Sequence, residues 1–473
     1  MEMKKILLIA LTFVLALSSC ENFLEEAPKL SQSTDITLSN YAGLNNATAG
    51  AYTMFADGTW YGAFFVLDAE MRAGNATIPA NNNFTSGRMM VPRDLSYNPT
   101  STSGLWGYAY FAISAANNVI DNLAGKETLT VKKQDLDNLK AECLFIRALA
   151  HFDLVRLYAH SYAKDANGLG VPIILHTDKT ASQQPKRATV AEVYAQIIAD
   201  LLEAESIIDP KYARAGVTDA KAAVTLPAIQ ALLSRAYLYS QKWQEAADYA
   251  TKVIKNTNFK LWTVAEYPTV WGKETAGAGG EVIFEVYGAK SNEYDEYWEG
   301  PAHMTSPEGY GDCAAHTDLV SLYEAGDVRG TMFRTDKNNA SGGILWTKKY
   351  IGKGISTPEV NNVIVLRLSE MYLNRAEACI NGATGGDTQA LADINAIRAN
   401  RGVAPLAGAG LEAIYAERRL ELAFEGHLWF DYARTNKPSV RSDKPLAADA
   451  RIWALPIPQR ELDVNKNLVQ NVY

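Results

Sequence analysis

The sequence predicts a mainly α fold: helical hairpins joined by long irregular loops. Three observations lead there. Apolar residues recur at helical spacing through most of the 473 residues. Several of these patterns come in pairs separated by tight turns. Two stretches, 58–103 and 259–361, lack that period, are broken by Gly, Pro, Asn and Asp, and are rich in aromatic residues. Loops longer than about 15 residues in a compact chain are usually functional, so these two stretches are where a site is expected.

Lys4 and Lys5 precede an apolar run, 6–17, interrupted only by Thr12. A spanning helix needs about 20 apolar residues, so the run reads as the hydrophobic part of an export signal. It ends in Leu17-Ser18-Ser19-Cys20, which resembles a bacterial lipobox. That resemblance implies removal of residues 1–19 as a lipoprotein signal peptide and acylation of Cys20. Several acyl chains would hold the protein on a membrane surface without crossing it, since each buried methylene contributes about 0.8 kcal/mol. Residues 20–36 then read as a lipidated polar tether, and 37–473 as a single domain with a loop-rich insert around 259–361.

Within that domain the helices follow in order. Residues 37–54 carry the first helical pattern, and 106–123 the next, with Trp106, Tyr110, Ile113 and Ile120 in step. Residues 135–162 form a long helix whose face is marked by Leu139, Cys143, Ile146, Ala150 and Leu154. Thr189 followed by Glu192 is a capping box that opens another helix. Residues 226–240 and 243–254 make a hairpin turned at Gln241-Lys242. Leu233, Ser234, Tyr237 and Ala246 sit at tetratricopeptide-like offsets, where a small residue lets the partner helix approach. A second pair is 366–378 with 387–401, though no clean 34-residue period exists. Val282-Ile283-Phe284-Glu285-Val286 is strand-like, and 319–324 is the one helical stretch of the insert. A last helix, 411–424, is stopped by Gly426.

Composition excludes several functions. The formal charge of −8 argues against nucleic acid as a partner, because phosphate binding needs a basic face. Cys143, Cys313 and Cys379, left after Cys20, are odd in number and widely spaced, which is no disulfide framework. Cys143 and Cys379 lie in helical contexts as small buried hydrophobes. Glu417, Glu421 and Glu425 are spaced four apart beside Arg418 and Arg419. They are read as ion pairs that tie helices together, as are Arg367, Glu370 and Glu377, and not as catalytic carboxylates. Of the six histidines, none makes a zinc-type pair; His303, Cys313 and His316 share a loop but fit no metal spacing. Asp295 and Glu296 lack an EF-hand pattern. There is no Gly-x-Ser-x-Gly elbow and no Walker loop, so no catalytic residue, cofactor or metal site is expected.

The aromatic loops carry the binding expectation. Flat rings stack on the apolar C–H faces of sugars, while Asp, Asn and Arg hydrogen-bond the hydroxyls. Trp60, Tyr61, Asp68 and Arg72 cluster in the first stretch; Tyr294, Tyr297, Trp298 and Tyr310 cluster in the second. Trp106 and Tyr110, on a periodic helix, are read as core.

Several segments together resemble one family. They are Glu21-Asn22-Phe23-Leu24 after the lipobox, the helix 141–152, Gly170-Val171-Pro172, the stretch 363–377, Glu417-Arg418-Arg419-Leu420-Glu421-Leu422-Ala423-Phe424-Glu425-Gly426 with Trp429-Phe430-Asp431, and the end around Pro456-Ile457-Pro458. In this order and spacing they resemble the SusD/RagB nutrient-binding lipoproteins of bacterial outer membranes. The resemblance implies a SusD-like α fold of tetratricopeptide-like pairs with irregular ligand-binding loops. It implies display on the outer membrane and a partner similar to SusC, a TonB-dependent β-barrel transporter. It implies an oligosaccharide ligand, or a peptide in some members, and no bond-breaking activity. Two other readings compete: a helical-repeat scaffold that binds no nutrient, and a hydrolase, which the missing nucleophile and acid pair disfavour.

Overall fold

In the computed structural model, which describes residues 34–79, 87–177, 183–217, 219–272, 280–288, 300–336, 343–352, 360–439 and 441–473, the first long helices are α1 (Tyr41–Thr53) and α2 (Phe64–Ala73). Asn40 caps α1 by accepting from the Gly43 amide at 3.0 Å. Gly74, at φ +89°, ends α2 in the left-handed conformation a glycine takes without strain. Helix α2 lies inside the stretch 58–103, where the sequence suggests only irregular chain. Its burial explains the difference. Phe65, Val66, Leu67, Ala69, Glu70, Met71 and Arg72 are all buried, and over only ten residues so covered a helix has too few turns to show a period.

Seven further helices form the frame: α3 (Ser103–Asp121), α4 (Lys133–Tyr158), α5 (Val190–Ile207), α6 (Leu226–Tyr239), α7 (Trp243–Ile254), α8 (Leu368–Ile380) and α9 (Gly386–Asn400). Each packs on the next in chain order, as in stacked helical pairs. The expected capping box opens α5: Thr189 Oγ1 accepts from the Glu192 amide at 3.2 Å, and Glu192 accepts from the Thr189 amide at 2.8 Å. The α6–α7 hairpin turns at Gln241, whose φ is +59°. Ser234 on α6 is fully buried and donates to the Ala246 carbonyl of α7 at 3.0 Å. That bond requires a small residue at the crossing, as the tetratricopeptide-like offsets suggest.

Helix α7 packs directly on α8 although residues 259–361 separate them. The insert is closed at its base by an antiparallel pair of strands. These belong to the set β1 (Ala76–Thr77), β2 (Val282–Val286), β3 (Ala314–Ala315), β4 (Phe333–Arg334), β5 (Trp346–Thr347) and β6 (Val363–Arg367). Strand β2 pairs with β6, placing Val286 opposite Val363 and Val282 opposite Arg367. The start of the expected helix at 366 is therefore strand, and α8 begins at Leu368. β1 pairs with β3, and β4 with β5. Around 319–324, only Thr317–Val320 is helical.

The C-terminal part adds α10 (Leu411–Glu421) and α11 (Leu428–Arg434). Between them Phe424 (φ +64°) and Gly426 (φ +78°) reverse the chain. The Gly426 amide donates to Glu70 on α2 at 2.8 Å, and a Cβ at Gly426 would stand 3.1 Å from the Val66 Cα. The carboxylates of Glu417, Glu421 and Glu425 are buried in ion pairs, as the sequence suggests, but with different partners. Glu417 pairs with Arg329 and Arg398, Glu421 with Arg329, Arg367 and Arg401, and Glu425 with Lys349 and Arg367. The adjacent Arg418 and Arg419 instead bond Asp431 and Asn75. Long-range pairs win because they join α10 to the insert and to β6 inside the core. Cys143, Cys313 and Cys379 are free thiols in buried positions. Among the described residues no helix is long and apolar enough to cross a membrane.

Candidate ligand-binding site

The two aromatic stretches meet in space. The β1–β3 pair holds Ala76 of the first against Ala315 of the second. Beside it, the Arg88 guanidinium carbon stands 4.0 Å above the Tyr310 ring, within cation–π range. Arg88 also lies 3.8 Å from the buried Asp312 carboxylate. His303 meets Tyr310 edge-to-face, with centroids 4.6 Å apart. The turn that presents these rings is fixed by its backbone: the amide of Tyr310 donates to the His303 carbonyl at 3.0 Å, and that of Cys313 to Met304 at 3.1 Å. The Trp346 indole donates to the Gly311 carbonyl at 3.2 Å. Arg334 pairs with Glu308 at 2.7 Å and donates to Ser306 at 3.0 Å, closing the far side of the turn. The result is a half-buried ring with a guanidinium over it and an imidazole at its edge, the guanidinium backed by a buried carboxylate.

A cavity of about 400 Å³ adjoins this turn, with Gly300 and Pro301 on its rim. Its walls come from α1 and the following turn (Tyr52, Phe55), from Tyr61, from β2 (Phe284, Val286) and from β6 (Val363). A volume of this size falls in the range of small-molecule sites.

The sequence-selected residues divide among these settings. Tyr310 is on the platform and Tyr61 on the cavity wall. Burial, with the nearby Asp153 carboxylate, pushes the Tyr61 phenol well above its ordinary range, so it stays neutral. Trp60, Asp68 and Arg72 are not displayed as the sequence reading expects. Trp60 is fully buried, and its indole donates to Asp153 at 2.7 Å. Arg72 is 2% exposed, with its guanidinium 5.4 Å from the Tyr97 ring centre and 4.8 Å from that of Trp429. Asp68 lies near the Tyr97 hydroxyl at 3.5 Å, and burial pushes its carboxyl up to about 7 against the pull of Arg72. These three belong to the packing of α2, the helix the sequence hides. Tyr294, Tyr297 and Trp298, like Cys20, lie outside the described residues. Trp106 is buried as expected and meets Tyr158 edge-to-face.

Sequence reasoning missed Arg88 and His303 on the platform and Tyr52, Phe55 and Phe284 in the cavity. Arg88 gave no signal, standing in a stretch broken by Asn and Pro with no helical or strand period. Phe284 was visible only as part of a strand. Among the described residues no three His, Cys, Asp or Glu side chains are placed to hold a metal ion. Asp295 and Glu296 lie outside the described residues.

Comparison with known proteins agrees with this architecture. A SusD-like family model described as starch-binding associating with outer membrane matches residues 22–238, and the SusD family model matches 329–473. The chain belongs to the SusD family. Among SusD relatives, SusD-like protein P2 of Formosa agariphila is 26% identical, with 99% of each chain covered. A SusD superfamily structure from Bacteroides thetaiotaomicron superposes with a TM-score of 0.82 at 27% identity, covering 92% of this chain and 100% of that one. A laminarin-binding SusD-like protein has a TM-score of 0.73 at 23% identity, covering 91% and 99%, a likeness of fold.

Proposed function

We propose that this SusD-family protein is a lipid-anchored outer-membrane protein that captures an oligosaccharide on the Tyr310 face and passes it to a SusC-like TonB-dependent transporter. The observation that carries the reading is the meeting of both aromatic stretches at the Arg88–Tyr310–His303 cluster. A tyrosine ring offers a flat apolar surface to the C–H face of a pyranose, and the guanidinium beside it suits vicinal hydroxyls. The family description, with its starch binding and outer-membrane association, supports a glycan ligand over a peptide. Acylation at Cys20 would supply the anchor. The proposed activity is capture and release.

The test is a titration of protein starting at Glu21, which keeps every described residue, against panels of oligosaccharides and peptides. A saturable glycan signal that Tyr310→Ala weakens by about 1–3 kcal/mol is expected. A peptide signal alone would replace the glycan by a peptide. Silence with both panels, together with failure of the acylated protein to co-purify with a β-barrel, would refute nutrient capture.

A further inference from the structure

The end of the helical frame from which the chain runs back to Cys20 carries a loop that takes no part in the platform. Cys20 lies 14 residues before Thr34, where the described chain begins. A lipid on Cys20 therefore holds Thr34 within about 50 Å of a membrane, whatever course that segment takes. Three helices settle what else stands at this end. The chain after α1 meets the start of α3, where a Cβ at Gly104 would stand 2.6 Å from Thr59, so α1 and α3 are antiparallel. Helices α3 and α4 are antiparallel too, with Trp106 against Tyr158 and Arg147 donating to Asn117 at 2.8 Å. Burial and the nearby Asp135 carboxylate push the Tyr41 phenol up, which puts the start of α1 beside the first turn of α4. The start of α1, the end of α3 and the start of α4 thus lie together, and the loop 122–132 closes that end.

The loop is fixed by its own bonds. Leu123 is buried, and Val131 packs on the core. The Thr128 amide donates to the Val131 carbonyl at 3.0 Å, and the Val131 amide to Thr128 Oγ1 at 3.0 Å. This turn holds Leu129 at its tip with the side chain fully exposed. Ile36, at the point where the chain enters the fold, is 60% exposed. Apolar side chains held in water gain by entering an apolar phase. Lys126, Lys132 and Lys133 flank the tip against Glu127, a local charge of +2 on a chain of −8. The nearest other carboxylates are engaged. Asp135 accepts from the Lys132 amide at 2.8 Å, Asp137 pairs with Lys133 at 2.5 Å, and Asp121 accepts from the Thr177 amide at 2.9 Å. Residues 36–56 and 95–120, which include all of α1 and α3 up to Asp121, hold no charged side chain that would repel a phosphate.

We infer that this loop docks on a membrane surface of anionic headgroups, with Leu129 entering the interface and Lys126, Lys132 and Lys133 against the phosphates. The inference rests on the reading of Cys20 as acylated. A tethered contact is intramolecular, so even one as small as this is populated. Its effect is to fix which end of the body faces the membrane.

The test uses protein starting at Glu21 with a hexahistidine tag ahead of Glu21, held on vesicles that contain a nickel-chelating lipid. Cys143, Cys313 and Cys379 are buried, so a thiol-reactive NBD label on Leu129→Cys reports the loop tip. Ser103→Cys, exposed at the opposite end of α3, is the control. On phosphatidylcholine vesicles with added phosphatidylglycerol, NBD emission at position 129 should rise and shift to the blue, and at position 103 should stay as in water. The shift should disappear at high salt and when Lys126, Lys132 and Lys133 are all changed to Gln. Melting temperatures near wild type then show that these exposed changes leave the fold intact. An unshifted label at 129, equal shifts at 129 and 103, or a shift kept in the triple variant or in phosphatidylcholine alone would overturn the inference. The tag replaces the natural anchor, so the label reports docking alone. The mass of protein made with its own leader reports acylation of Cys20 separately.

Discussion

Replacing Glu421 by Gln removes the centre of a buried charge cluster. Its carboxylate has no solvent exposure and faces three guanidinium groups. Oε1 accepts from Arg367 and Arg401, each at 2.7 Å, and Oε2 from Arg329 and Arg401, each at 3.0 Å. Burial opposes ionisation, but Arg401 and Arg367 reverse that and hold Glu421 well below the usual carboxylate range. Arg329, Arg367, Arg398, Arg401 and Lys349 face Asp327, Glu281, Glu417, Glu421 and Glu425 in this cluster, with the exposed Glu324 carboxylate also on Arg398. Gln keeps the shape, deletes one negative charge, and turns one acceptor into a donor aimed at arginine. Breaking a buried pair from one side costs about 3–5 kcal/mol, because the remaining charges lose compensation. A loss of that size is expected in urea unfolding at neutral pH. The pH dependence follows from the depressed folded pKa. Stabilisation is present above the unfolded value near 4.5 and is lost as pH falls through the folded value. The gap between wild type and variant should therefore narrow in acid. A loss below about 1 kcal/mol, or a gap that does not change with pH, would refute the view that this charge cluster holds α10 to the insert.

Three further outcomes follow from buried groups. Trp60→Phe should cost about 1–3 kcal/mol in thermal unfolding, since Asp153 loses its indole donor; glycan titration should be unchanged. Asp68→Asn should gain stability over wild type above pH 7 and match it below about pH 4. The folded pKa near 7 exceeds the unfolded 3.8, so ionisation destabilises the wild type as pH rises through that window; melting curves at both ends check it. Ser234→Leu should cost about 1–3 kcal/mol or more by overpacking the α6–α7 crossing, while Ser234→Ala loses far less by the same melting assay.

The helical frame was legible because its helices are long enough for apolar residues to recur at helical spacing, and because one of them announces its start. Thr189 and Glu192 announce α5, and Ser234 against Ala246 announces a close hairpin. Helix α2 was not legible: it is only ten residues long and buried on almost every side, so too few turns repeat to show a period. The same burial misdirected part of the site reading. Trp60 and Arg72 share a loop-like neighbourhood with Tyr61, and composition cannot tell a ring that faces a cavity from one that packs behind it. The charges of α10 were read in the right role with the wrong partners. Sequence spacing shows neighbours along a helix, whereas Arg329, Arg367 and Arg401 reach Glu421 from positions 92, 54 and 20 residues away.

That pattern of partners explains how an irregular insert can carry a precise surface. The platform turn is seated on the core through Met304 and Cys313, and it is continuous with chain that is pinned at several depths. Strands β2 and β6 close the insert at its base. Arg329 and Lys349 tie it to Glu417, Glu421 and Glu425. The β1–β3 pair and Arg88 over Tyr310 join it to the first stretch. Buried ion pairs add little net stability over apolar packing, but a mispaired one is costly, so they penalise every other register of the insert. The SusD-family frame thus fixes where Tyr310 stands.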